Sequence, residues 1–136
     1  MIQRIQSIYL FLAALAAILF LFIPFGKIQL NGTILIMKSM MVIYFIILCS
    51  ILATASFISI FLFKNRNLQI KLVLLALLLS MGLIGLSVFA IILHQKDHYQ
   101  FGPAVIIPIF VFIFNFLAYK GIKHDEELVK SMDRLR

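Results

Sequence analysis

A chain of 136 residues that is 64% hydrophobic, 12% charged and carries a formal charge of +7 departs from soluble domains, where about half the residues are apolar and about a quarter charged. With 14 Phe, no Trp and a mean hydropathy of +1.14, too few polar side chains remain to cover a water-facing surface, so a membrane protein of one domain is expected. The basic balance does not indicate a nucleic-acid partner, because the Lys and Arg residues are scattered and not clustered with aromatics on one face.

Charged residues and histidines divide the chain into four uninterrupted apolar stretches, 5–26, 39–63, 72–93 and 99–119. Each exceeds the roughly 20 residues that a helix needs to cross the hydrocarbon core. The fold class expected is therefore all-α: four transmembrane helices in an antiparallel bundle over 1–119, followed by a helical tail over 120–136. The first stretch follows Arg4 as a secretory signal would, but it is too long for a signal's apolar region and no small-x-small cleavage motif follows Pro24. It reads as a retained helix.

Between the first two spans, Asn31-Gly32 separates two β-prone runs within 27–36. Asn-Gly is the favoured pair for a type I′ turn, in which both central residues take positive φ, so a small β-hairpin is expected there. Asn31-Gly32-Thr33 also matches a glycosylation sequon, a three-residue pattern frequent by chance.

Small and weakly polar residues mark the expected packing seams: Ala13 and Ala17 in the first span, Ser50, Thr54, Ser56 and Ser59 in the second, and Ala76, Ser80, Leu83, Ser87 and Ala90 in the third. Such residues let helix backbones approach closely in a bilayer. Gly82 and Gly85 lie off the third-span seam, where they suit a second contact. Cys49 is the single cysteine, which excludes an internal disulfide and a CxxC redox pair and leaves it as a small buried hydrophobe.

After the third span, His94 and His98 are four residues apart with Asp97 between them, placing two imidazoles on one face of a helical extension. A structural metal site wants four ligands and a catalytic one three plus water. These residues are weak candidates, and neither a metal nor another cofactor is expected. In the fourth span, Asn115 requires a hydrogen-bonding partner in hydrocarbon and reads as interhelical glue. Pro108 sits in the first turns, where proline is tolerated. Phe110, Phe112, Phe114 and Phe116 occupy alternate positions and so spread around the helix, facing lipid or a partner.

In the tail, Leu128, Met132 and Leu135 form an apolar stripe, and Glu126 with Lys130 makes a favourable four-residue pair. Five basic residues against Asp125, Glu126, Glu127 and Asp133 leave a tail charge of only +1. That balance disfavours an electrostatic lipid clamp and leaves a solvated helix or a protein-docking surface involving Leu128, Met132, Asp133, Arg134, Leu135 and Arg136.

With the amino terminus inside, the inner side carries Arg4, Lys64, Arg66, Lys71, Lys120, Lys123, Lys130, Arg134 and Arg136, and the outer side only Lys27, Lys38 and Lys96. Both termini are therefore expected in the cytoplasm. No Asp, Glu, Lys, Arg or His lies within a span, which argues against carboxylate-driven transport, helix-ligated haem and intramembrane proteolysis.

The opening Met1-Ile2-Gln3-Arg4-Ile5-Gln6-Ser7-Ile8-Tyr9-Leu10 and the closing Lys123-His124-Asp125-Glu126-Glu127-Leu128-Val129-Lys130-Ser131-Met132-Asp133-Arg134-Leu135-Arg136 resemble the ends of a family of small four-span bacterial inner-membrane proteins of unknown function. The resemblance implies a Gram-negative inner membrane and supplies no activity, substrate or cofactor. The expected function is a non-catalytic accessory or assembly subunit of a membrane complex, in contact with membrane lipids, other membrane subunits or a cytoplasmic protein at the tail. A small transporter or channel component for a neutral or lipophilic molecule, and a quinone- or lipid-binding subunit of an electron-transfer complex, are the alternatives.

Overall fold

The computed structural model describes the backbone of residues 2–30, 33–38, 42–62, 65–94 and 100–134, and their side chains except those of residues 2–4, 28–30, 33, 37, 94, 130 and 132–134. The elements are α1 (Ile2–Phe22), β1 (Pro24–Leu30), β2 (Thr33–Lys38), α2 (Ile43–Phe61), α3 (Arg66–His94), β3 (Gln100–Phe101), a 3-10 turn (Pro103–Ile106) and α4 (Ile107–Arg134). All four α-helices contain a segment long and apolar enough to cross a membrane.

Each helix packs against two others: α1 against α2 and α4, and α3 against α2 and α4, which leaves α1 and α3 on a diagonal. The start of α1 and the last turns of α4 meet at one end of the bundle, here the termini end. The small sheet caps the other. Three buried layers fill the interior. Phe20, Phe25, Phe45, Cys49, Leu83 and Ala104 lie nearest the sheet; Ala14, Ala17, Leu52, Ala53 and Val111 form the middle; Leu10, Val73, Ala118 and Ile122 lie toward the termini. Large apolar side chains such as Ile8, Phe11, Ile18, Leu78, Phe89 and Phe110 are exposed. This distribution suits a bilayer, where outward apolar side chains are solvated by lipid and small or polar ones mediate helix contact.

The helix limits differ from those read by charge alone. Residues 24–26 end the first apolar stretch but belong to β1, because Pro24 begins a strand that pairs antiparallel with β2. The pairing of Leu30 with Thr33 leaves Asn31 and Gly32 between the strands, as a two-residue hairpin connection requires; their own conformation lies outside the described residues. α3 begins six residues before its apolar stretch, at Arg66, where the Asn65 carbonyl accepts from the N–H groups of Leu68 and Gln69 and so starts the helix. The fourth stretch begins as strand β3 and the 3-10 turn, and α4 starts only at Ile107. From there it runs through residue 120 without interruption to Arg134, so the tail is the last part of α4 and not a separate element.

The third strand was not legible in sequence. β3 pairs antiparallel with the opposite edge of β1, giving the order β2-β1-β3. A register shift between Pro24 and Gly26 accommodates Phe25, whose ring packs at 6.1 Å from Phe20 and 5.8 Å from Phe45. Phe20 and Phe45 close the triangle edge-on at 5.3 Å. These rings seat the sheet on the bundle.

Candidate functional site

The polar side chains inside the bundle gather toward the termini end. Gln6, on the first turns of α1, is buried and donates from Nε2 to Asp125 Oδ2 of α4 at 2.7 Å. Arg66, the first residue of α3, donates from Nη1 to the backbone carbonyl of the same Asp125 at 3.3 Å. Three helices are thereby tied at one residue. Gly121 makes the approach feasible: a Cβ placed there would stand 3.0 Å from Gln6 Cγ and 3.3 Å from Nε2.

Deeper in the bundle, buried Gln69 of α3 donates to the carbonyl of Ser59 on α2 at 3.0 Å. Ser56 of α2 donates to Asn115 Oδ1 of α4 at 3.3 Å, and Asn115 Nδ2 donates to Val111 O one turn back at 3.0 Å. Ser59, Ser80 and Ser87 each donate to a carbonyl of their own helix at 2.7 Å. Every buried polar side chain among the described residues is thus hydrogen-bonded, as interiors without water require. The bonds of Gln6, Arg66, Gln69 and Ser56 tie one helix to another, whereas those of Ser59, Ser80 and Ser87 close on their own helix.

Of the residues singled out in sequence, Ala13, Ala17, Ala76, Ser80, Ser87 and Asn115 lie buried between helices. Ser50 and Thr54 are exposed instead, with their hydroxyls turned back to the carbonyls of Ile47 and of Ser50 and Ile51. The inward face of α2 is carried by Phe45, Cys49, Leu52, Ala53, Ala55, Ser56 and Ser59. Gly82 and Gly85 are exposed, with open space where a Cβ would stand. The Phe series forms two ring pairs, Phe110 with Phe114 and Phe112 with Phe116, each at 6.3 Å.

Leu128 is exposed on the projecting part of α4. The backbones of Met132, Asp133 and Arg134 continue the helix, but their side chains, and Leu135 and Arg136 entirely, lie outside the described residues. So do Asp97, His98 and the His94 side chain; among the described residues no group of three His, Cys, Asp or Glu could hold a metal.

Sequence reasoning missed Gln6, Arg66, Gln69, Asp125 and Gly121. The available signal was the pair of chain ends, each distinctive in itself, and the structure shows that residues from both meet. The profile of one family, described as a domain of unknown function, DUF4293, matches residues 2–135. The chain belongs to the DUF4293 family. No match was found among curated proteins or among solved structures. Membership spans nearly the whole length, so the DUF4293 domain comprises the four helices and the sheet together, including the Gln6–Asp125 clasp.

Proposed function

We propose that this DUF4293 protein is a non-catalytic accessory or assembly subunit of a larger complex in a bacterial inner membrane, with both termini in the cytoplasm and a partner protein docked on the end of α4. The observation that carries this reading is the way α4 leaves the bundle. It is fixed at Asp125 by Gln6 and Arg66 and continues as helix to Arg134, presenting exposed Leu128 and Val129 beyond the last long apolar stretch. An apolar surface on a helix already held in place loses little further freedom on association, which favours binding.

The test is gentle solubilisation of native membranes, purification through a tag on the protein, and mass measurement of the intact assembly. The expected result is a stoichiometric complex with at least one other membrane or cytoplasmic subunit. A monodisperse lone monomer from membranes that retain their other complexes contradicts the proposal.

A further inference from the structure

An open groove of about 660 Å³ runs along α4 at the termini end, and its described lining includes Phe116, Leu117, Tyr119, Lys120, Lys123 and His124. Its volume falls in the range of small-molecule sites, roughly 300–1,000 Å³. The lining changes character along its length: Phe116 and Leu117 belong to the apolar part of α4, whereas Lys120, Lys123 and His124 follow Tyr119, the last residue of the fourth apolar stretch, and a tyrosine suits the interface between hydrocarbon and water. From Phe116 to Glu127, which closes the lining, the helix rises roughly 16 Å. That is the direction in which a lipid passes from acyl chain to headgroup.

The charge pattern is local and not visible in the tail's net charge. Asp125 is turned away from the groove into its bond with Gln6, and Glu126 is half-buried and does not line it. Lys120 and Lys123 are exposed and three residues apart on one helix face, close enough to meet one phosphate. Among the described residues, only Glu127 opposes them there. We propose that this groove holds an anionic glycerophospholipid of the surrounding bilayer, with its phosphate between Lys120 and Lys123 beside His124 and its acyl chains along Phe116 and Leu117. The site is distinct from Leu128 and is independent of the protein-docking reading.

Native mass spectrometry of the full chain, transferred from mixed phosphatidylglycerol and phosphatidylcholine micelles into lipid-free detergent, tests this directly. The wild type retains phosphatidylglycerol in preference to phosphatidylcholine. Lys120→Gln with Lys123→Gln weakens that retention about tenfold or more, and Glu127→Gln strengthens it, an arm that stands even where the double variant folds poorly. Lys71→Gln, which removes an exposed lysine of α3 outside the groove, leaves retention unchanged. Equal retention of the two lipids, an equal loss in Lys71→Gln, or no gain in Glu127→Gln overturns the proposal. So does displacement by inorganic phosphate at equal concentration, which identifies a free-anion site.

Discussion

Asp125 joins the two ends of the chain through one 2.7 Å hydrogen bond to a buried amide. Removing the acceptor leaves Gln6 without that partner, and an unsatisfied buried polar group costs about 1–3 kcal/mol. Asp125→Ala is therefore expected to lower stability by about that amount, whereas Asp125→Asn, which keeps a carbonyl acceptor, loses less; thermal unfolding in detergent distinguishes them. Equal losses would assign the effect to charge and not to the bond. None of this was legible in the tail, where an aspartate among lysines and glutamates reads as a solvated helix face. Asn115 was legible as a bonding residue because an amide in hydrocarbon must find a partner. Its partner was not, since Ser50, Thr54, Ser56 and Ser59 all offer hydroxyls, and only the packing of α2 turns Ser56 inward.

At the scale of elements, the apolar stretches located all four helices, because hydrocarbon thickness imposes a minimum length on each. They did not locate the helix ends, which are decided by strand pairing at Pro24 and Gln100 and by capping at Asn65, whose carbonyl accepts from Leu68 and Gln69 at 3.0 Å. Strand β3, with two residues, carries no periodicity to read. Gly102 fixes it. The Gly102 N–H donates to Phe25 O at 2.9 Å, and a Cβ there would stand 2.4 Å from Pro24 O and 2.7 Å from Phe25 C. Both neighbours are backbone and cannot step aside as a flexible side chain would. Gly102→Ala is expected to displace β3 from β1 and to lower stability by about 1–3 kcal/mol, the usual cost of overpacking. Detergent unfolding together with amide exchange at Gly102 checks this; unchanged protection would contradict it.

For the whole molecule, the start of α1 and the last turns of α4 lie at one end of the bundle, and the proposed topology, read from the unequal distribution of Lys and Arg, would put that end in the cytoplasm. In a Cys49→Ala background, Lys27→Cys is expected to react with an impermeant maleimide in spheroplasts, and Lys123→Cys only after the membrane is opened. The reverse pattern would invert the topology. Under that topology the +7 charge is an orientation signal at the helix ends, with a local cluster on α4, and the proposed docking surface projects beyond that cluster.

A photo-reactive amino acid at position 128, activated in native membranes, would capture a protein docked on the end of α4. The expected result is one discrete protein adduct, identified by mass spectrometry as the subunit that copurifies with the wild type and diminished when the Gln6–Asp125 clasp is broken. Adducts to lipid alone, with none to protein, would contradict it.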